Sequence, residues 1–415
     1  MSKLEDNRKH RGAPTPDTWA TPRLSEVCSI IYGYTDSATL EPIGPRFLRI
    51  TDIQDDMVNW DTVPYCNIDP NKLYRYRLQS GDIVFSRTGA TTGKSFLVSD
   101  PPEAVFASYL IRLRLSKDLA LPEFVNYFFQ TSSYWQVIAK GSVGSAQGGF
   151  NATKLGDLVI PMPPIKVQER IVANLNEAFK GIAATKAIIE KSRANARRLF
   201  NSKLQSLIGS PIENWPRTNL GEQTDISTGF PFKSQGYTAS DDSMKLLRGD
   251  NIIQGQLRWE DVKKWPIADT EEYKDYELRE GDVVLAMDRT WVKAGIKYAV
   301  LSSGDVPCLL VQRTARLRAK KTLHPKFLRW LIGSDRFTEY VLSVQTGSGV
   351  PHISGPQIKA FEFQLPPMKD QCFIASLLDE LLSETGRLDG VYSQKLSALD
   401  ALKQSFLQSA FSKTL

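Results

Sequence analysis

The strongest constraint on this chain is a segment that occurs twice in register. It opens Pro163-Pro164-Ile165-Lys166-Val167-Gln168 and reopens, 203 positions later, as Pro366-Pro367-Met368-Lys369-Asp370-Gln371. The same offset of 203 links Ile171 to Ile374, Leu175 to Leu378, Leu199 to Leu402 and Ser202 to Ser405. Neither copy contains a proline after its opening pair. A constant offset means two copies of one helical element with nothing inserted between matched turns. The fold must therefore accommodate that element twice.

What lies between the copies is also repeated, but less strictly. Trp19 with Leu24 is matched by Trp215 with Leu220. Phe47-Leu48-Arg49-Ile50 is matched by Leu246-Leu247-Arg248-Gly249, and Leu78-Gln79-Ser80-Gly81-Asp82-Ile83-Val84 by Leu278-Arg279-Glu280-Gly281-Asp282-Val283-Val284. Here the offset drifts between 196 and 200, as it does when insertions fall in loops between strands. The order is globular block, helix, globular block, helix, in a repeat far longer than a solenoid unit. Short apolar runs after Gly-Asp turns predict strands at Asp82–Phe85 and Asp282–Leu285. Leu110–Leu115 alternates apolar with basic, and Ala315–Arg318 is its counterpart. A helix is expected from Pro122 to about Ile138 and from Pro325 to about Val344, each with proline in the first turn. A short strand then leads back to each Pro-Pro, at Leu158–Ile160 and Phe361–Phe363.

The repeated segments carry apolar residues at alternating spacings of four and three. In the first, Ile171, Leu175, Ile182, Ile189 and Leu199 lie on this seam; in the second, Ile374, Leu378, Leu381, Leu388, Leu399, Leu402 and Phe406. The pattern predicts a coiled coil, and the simplest partner for each helix is the other, antiparallel. The expected fold is α+β: two β-rich mixed domains joined by two long antiparallel coiled-coil helices with a pseudo-twofold internal duplication. The expected boundaries are a flexible lead-in at 1–18, domains at 19–162 and 211–365, and helical spacers at 163–210 and 366–415. Gly181, Gly386 and Gly390 interrupt the helices and suit either local bending or the close approach of a third helix.

Several function classes find no support. Cys28, Cys66, Cys308 and Cys372 stand singly without a zinc or disulfide spacing. The three histidines, His10, His324 and His352, lack ligand partners at metal spacing. Gly89-Ala90-Thr91-Thr92-Gly93-Lys94-Ser95 is one residue short of a P-loop and runs into a strand-like segment. Asp100-Pro101-Pro102-Glu103 lacks the aromatic of an amino-methyltransferase motif and reads as a turn. No apolar run is long enough for a bilayer. Met1–Pro16 lacks the apolar core of a secretory signal, so a cytoplasmic location is expected. No polar catalytic set recurs in both copies, and the chain reads as non-catalytic, with no metal site. A net charge of +6 is compatible with a polyanionic partner.

The Pro-Pro-(x)3-Gln openings, the Leu-x-x-Gly-Asp-Ile/Val-Val turns, the Trp-x(4)-Leu starts and the ending Leu402–Phe411, each but the last present twice, resemble the specificity subunit of type I restriction–modification systems. The resemblance spans Trp19 to Leu415. It implies two target-recognition domains, each reading half of a bipartite site in double-stranded DNA, with helical spacers that set the gap. It implies that the spacers dock two modification methyltransferase subunits, which carry S-adenosylmethionine and methylate adenine. Restriction subunits with ATP- and Mg-dependent translocase activity would join that core. The chain itself would bind no cofactor. A coiled-coil scaffold with two peptide- or carbohydrate-binding domains is the alternative.

Sequence readout requires donors and acceptors at base edges, and affinity requires cations near phosphates. The loop after each Gly-Asp strand supplies Arg87, Thr88 and Lys94 in one copy and Arg289, Trp291, Lys293 and Lys297 in the other. This loop differs between copies immediately after a strand that is alike. Further candidates are Gln147 and His352 in the Gly/Ser-rich loops, together with Tyr34, Lys233 and Gln235.

Overall fold

A computed structural model of the chain describes residues 19–54, 56–142, 150–209 and 214–412. The two expected spacers are helices of 44 residues each, Ile165–Ile208 and Met368–Phe411, about 66 Å long at 1.5 Å per residue. The chain divides into two compact units: Met1–Ile189 with Ser393–Leu415, and Glu190–Tyr392. Each unit thus holds one globular block and a part of each long helix.

In the first unit Leu110–Leu115 lies between Cys28–Tyr32 and Ile83–Ser86, with Ser95–Leu97 outermost, all antiparallel. In the second unit Thr314–Ala319 lies between Thr224–Thr228 and Val283–Ala286, with Tyr298–Val300 outermost. Val84 faces Arg112 in one sheet and Val284 faces Arg316 in the other. The first three residues of the strand after the Gly-Asp turn are apolar because both its faces are covered. Ile83 and Phe85 join the cluster that contains Phe124, Ile171, Leu175 and Leu407, whereas Val84 joins Leu48, Phe106 and Leu110 on the other side. Val283 and Leu285 likewise join Phe327, Leu204, Ile374 and Leu378, and Val284 joins Leu247, Ala299 and Leu310.

The aspartate of each Gly-Asp turn is buried and fastens the turn. Asp82 accepts from the Gln79 N–H (2.8 Å) and from Arg114 through two guanidinium nitrogens at 2.7 Å. Asp282 accepts from the Arg279 N–H (2.8 Å) and from Arg318 at 2.6 Å twice. The basic side of the central strand is therefore not an open cationic surface. Arg112 is buried, donates to the carbonyls of Arg75 and Arg77 at 3.2 and 3.0 Å, and is pushed down to about 10 chiefly by desolvation.

The expected single helix after the central strand is two, Pro122–Phe128 and Ser132–Ser142, and in the second unit Pro325–Ile332 and Asp335–Val344. Ser334 ends the first of these and caps the second, accepting from the Phe337 N–H at 3.2 Å. The return strand is present in the second unit as Glu362–Gln364 paired with Arg217–Asn219. In the first unit it is reduced to single bridges, Arg23 to Val159 and Ala20 to Met162.

Each Pro-Pro opening ends on a glutamine that latches the long helix to its own block. Gln168 Oε1 accepts from the Leu121 N–H (2.9 Å), and its Nε2 donates to the carbonyls of Leu119 (3.0 Å) and Pro163 (2.8 Å). Gln371 Oε1 accepts from the His324 N–H (2.7 Å), and its Nε2 donates to the carbonyls of Thr322 (3.0 Å) and Pro366 (2.7 Å). Both side chains are buried. Two turns further on, Tyr127 donates to Asn176, and at the matching positions Trp330 Nε1 donates to Asp379 at 3.0 Å.

Within each unit the two long helices pair antiparallel. In the first, Ile171 and Leu175 share a cluster with Leu407 and Ala410, and Lys186 pairs with Asp400. In the second, Leu204 and Ile208 share a cluster with Ile374 and Leu378, and Arg193 holds Asp389 through two bonds of 2.6 and 2.7 Å. The strict heptad holds only part of the way. Leu399 is partly buried, but Leu402, Phe406 and Leu199 leave the seam and are exposed, and Leu396, Lys403, Leu407 and Phe200 take their places. An α-helix drifts about 20° per heptad. Over the roughly six heptads of each helix that exceeds the 100° between neighbouring residues, so an extra step of four restores the contact. Gly181, Gly386 and Gly390 face open space, where an added Cβ would meet nothing within 4 Å.

Candidate nucleic-acid interface

The loop that follows each Gly-Asp strand is built on the same hydrogen bonds in both copies. Ser86 N–H donates to the Lys94 carbonyl (2.8 Å), and Ala286 N–H to the Lys297 carbonyl (3.0 Å). Arg87 N–H donates to the Tyr109 carbonyl (3.2 Å), and Met287 N–H to the Arg313 carbonyl (2.9 Å). Lys94 and Lys297 are therefore one structural position, and Tyr109 and Arg313 another. A third pair is Arg49 and Arg248, whose N–H groups are capped by Asp52 (2.8 Å) and Asn251 (2.9 Å), respectively.

In the second unit these positions open onto a concave site of about 730 Å³. Five cationic side chains line it, Arg248, Arg258, Arg289, Lys297 and Arg313, against two carboxylates, Asp250 and Asp288. Lys297 is partly buried and its pKa is lowered, chiefly by desolvation; Asp250 and Asp288 oppose the shift, while Arg289 and Arg258 add to it. A phosphate beside such an ammonium would restore its preference for the charged form. Asp288 forms an ion pair at the rim with Arg313 Nη1 (3.5 Å) and sits 2.6 Å from His352 Nδ1. The Arg289 N–H donates to the Pro351 carbonyl at 2.7 Å, which ties the two loops together.

The structure thus gathers Arg289, Lys297 and His352. Trp291 is exposed in a two-residue strand paired with Gly295–Ile296, and Lys293 is exposed at the tip of that hairpin, whose Val292 and Ala294 line the cavity. Lys233 and Gln235 are exposed between Phe232 and Tyr237, two further cavity residues.

The first unit has smaller depressions at the same positions. Lys94 is exposed and borders about 190 Å³ with Thr51, Ser86 and Thr91; Arg49 and Tyr109 border another of about 440 Å³. Arg49 is largely neutralised by Asp52, held at 2.7 and 3.0 Å. Thr88 precedes the 3-10 turn Gly89–Thr91 and is partly buried. Arg87 lies over the Tyr32 ring at 5.0 Å. The Tyr34 ring is tilted against that of Tyr76 at 5.3 Å and packs on the Phe47–Cys66 cluster, so it serves the core. Gln147 lies outside the described residues.

Sequence reasoning missed Arg49, Arg248, Arg258, Tyr109 and Arg313. Arg49 and Arg248 carried a signal, being the one cation repeated in the matched Leu-Arg runs. Tyr109 and Arg313 carried none, since only the sheet brings the residue before the central strand to this rim. Of the spacer candidates, Ile171, Leu175, Ile182, Ile189, Ile374 and Leu378 are buried and Leu381, Leu388 and Leu399 partly buried. Leu199, Leu402 and Phe406 remain 73%, 43% and 39% exposed.

Among the described residues no helix is long and apolar enough to cross a membrane. The family described as type I restriction modification DNA specificity domain matches residues 16–191 and again 213–391. The type I restriction enzyme EcoAI specificity subunit of Escherichia coli is 35% identical over 179 residues, covering 42% of this chain and 30% of that protein. The MjaVIII specificity subunit of Methanocaldococcus jannaschii is 23% identical over 399 residues, covering 91% of this chain and 89% of that one. Among solved structures, a chain from a study of complex assembly and conformational transition of the type I R-M system superposes with a TM-score of 0.76 at 19% identity, covering 97% of this chain and all of that one. The HsdS subunit from Thermoanaerobacter tengcongensis gives 0.60 at 19% identity, covering 98% and 99%. These likenesses leave the peptide- or carbohydrate-binding scaffold without support. With both copies of its repeat matched to one family, the chain belongs to the DNA specificity subunits of type I restriction–modification systems.

Proposed function

We propose that each globular block reads one half of a bipartite site in duplex DNA through the rim built by Arg49, Lys94 and Tyr109 in the first and by Arg248, Lys297 and Arg313 in the second. The observation that carries this reading is the pairing of a shared scaffold with unlike side chains. Lys94 and Lys297 occupy one position on the same hydrogen bonds, as phosphate anchors common to both halves would. Tyr109 and Arg313 occupy the neighbouring position and differ, as base readers for different half-sites would. The concave site with five cations against two carboxylates supplies the field that a phosphate backbone needs.

The spacers set the gap and dock two methyltransferase subunits. Leu199 and Leu402 support this, being matched positions that stay exposed, with Phe406 one turn beyond the latter and exposed as well. In this reading S-adenosylmethionine resides on the methyltransferase and ATP with Mg on a restriction subunit, so the chain contributes address and spacing to the complex and no chemistry of its own.

The test is a map of adenine methylation in cells that carry the chain with its methyltransferase. Replacing residues 19–155 by the corresponding domain of a relative is expected to change one half-site only. Inserting four residues near Arg193 together with the facing turn near Asp389 is expected to lengthen the gap and leave both half-sites as they were. Methylation without a two-part pattern, or a pattern indifferent to the exchange, overturns the reading.

A further inference from the structure

We infer that Arg289 and Arg313 form a guanine-reading pair in the second domain. This rests on the DNA reading above and names the residues and the base edge that the reading leaves open.

The observation is a backbone one. Five described non-glycine residues have positive φ: Asp56, Asp100 and Asp261, and the arginines Arg289 (46°) and Arg313 (67°). Aspartate tolerates left-handed backbone because its short side chain can bond locally. Arginine has no such compensation. Both arginines nevertheless adopt it, and both line the same cavity. The first copy supplies the control. The residue that matches Arg289, by sequence after the Gly-Asp strand, is Gly89, with φ of 72°. The turn therefore asks for glycine, and one copy has glycine. The other places a long cationic side chain there at a cost in backbone energy. Strain held at a rim without a packing reason points to a task for the side chain. No core residue explains it: Arg289 is exposed and the side chain of Arg313 is 62% exposed.

The surroundings fix where these side chains start. Arg289 is pinned through its N–H to Pro351, and Arg313 through its carbonyl to Met287. Asp288 lies between them in the network, holding His352 and reaching Arg313 Nη1 at 3.5 Å. A guanidinium fork offers two parallel donors, which match the O6 and N7 acceptors of guanine in the major groove; an ammonium cannot reproduce that geometry. Lys297, Arg248 and Arg258, set around the same cavity, suit phosphate contacts. The first domain has Gly89 and Tyr109 at the two positions, so the pair belongs to one half-site.

The experiment is selection of bound sequences from a library of random-sequence duplexes by the full chain, alone and with its methyltransferase. Arg289→Gly and Arg313→Asn restore residues that tolerate left-handed backbone, so both are expected to fold, with melting temperatures no lower than wild type. Each is expected to lose its preference for guanine at one position of one half-site by tenfold or more, leaving the other half-site intact. Arg289→Lys and Arg313→Lys are expected to behave in the same way, since charge alone does not replace the fork. Lys297→Ala is expected instead to weaken binding to all sequences alike and to reduce its salt dependence. If wild type selects a two-part site and the arginine variants recover it unchanged, or weaken evenly as Lys297→Ala does, the pair is refuted and the DNA reading stands. If wild type selects no sequence in either form, the DNA reading fails and this inference with it.

Discussion

Replacing Gln371 by alanine tests whether the latch, rather than the apolar seam, fixes the helix to its block. The side chain is buried and satisfies the His324 N–H and the carbonyls of Thr322 and Pro366. Truncation removes the partner of all three, one in a buried bond (Pro366) and two in partly buried ones (His324 and Thr322). An unsatisfied buried group costs about 1–3 kcal/mol; with two of the three partly buried the sum falls at its low end, about 3–5 kcal/mol. For a unit of this size each kcal/mol lowers the melting temperature by about 2–4 °C, giving a drop of roughly 6–20 °C in the unit that carries the substitution. Calorimetry of the full chain should then resolve two transitions, with the other unit melting at its original temperature. Gln168→Ala should produce the mirror result, through Leu121, Leu119 and Pro163. The double variant should be additive, because the two latches share no partner. Gln371→Glu keeps an acceptor for His324 but buries a carboxylate and removes two donors, and should be no milder than alanine. A loss below about 1 kcal/mol for either alanine variant would refute the reasoning and leave the Pro-Pro turn itself as the anchor.

Two further outcomes follow from the groups that titrate. Asp389 is pushed down to about 2 by its hydrogen bonds from Arg193 and then Arg197. Its contribution is thus full above the ordinary carboxylate range and is lost as pH falls from about 4 towards 2; melting curves of wild type and Asp389→Asn should differ at pH 6 and converge near pH 2. Burial pushes the thiols of Cys28 and Cys308 up to about 12 and that of Cys66 up to about 11. Mass spectrometry after iodoacetamide treatment at pH 8 should find the partly buried Cys372 labelled first, with the other three reacting only after denaturation.

The parts of this fold that were legible from sequence are those in which one residue type has one structural use. The Pro-Pro-(x)3-Gln opening marked the start of each long helix to within two residues, because proline ends the preceding strand and cannot sit further inside the helix. The Gly-Asp turn marked the strand that follows, since its aspartate has a turn N–H and an arginine to hold. The seam was legible only where period and burial agree. Leu199, Leu402 and Phe406 fit a 3.5 period, but the helices run nearer 3.6, and what looked like seam is surface. The site was less legible still. A cation in a loop says nothing of the other loops beside it, and the cations of the second unit's cavity come from four separate stretches of chain, around Arg248, Arg258, Arg289 and Arg313. Tyr34 shows the converse: an aromatic in a polar loop whose ring packs inward on Tyr76.

The drift of the repeat offset carries the information that periodicity did not. Ser86 and Ala286 stand 200 positions apart, whereas Lys94 and Lys297, which accept from their N–H groups, stand 203 apart. Three residues have therefore been added between two backbone positions that are otherwise superimposable in their bonding. They fall in the hairpin of Trp291–Val292 and Gly295–Ile296, at the border of the cationic cavity. The sheet beneath has not moved, for Val84 opposes Arg112 just as Val284 opposes Arg316. Beyond that hairpin the offset is 204 along the central strand, Tyr109 to Arg313 and Arg112 to Arg316, and from Pro122 and Pro325 onward it is the 203 that the long helices keep through Leu199 and Leu402. Between the Gly-Asp strand and the Pro-Pro opening, the net change in length is thus the change made at the rim. Divergence between the copies has been concentrated where a half-site would be read, and excluded from the sheet that aims it and from the helices that space it.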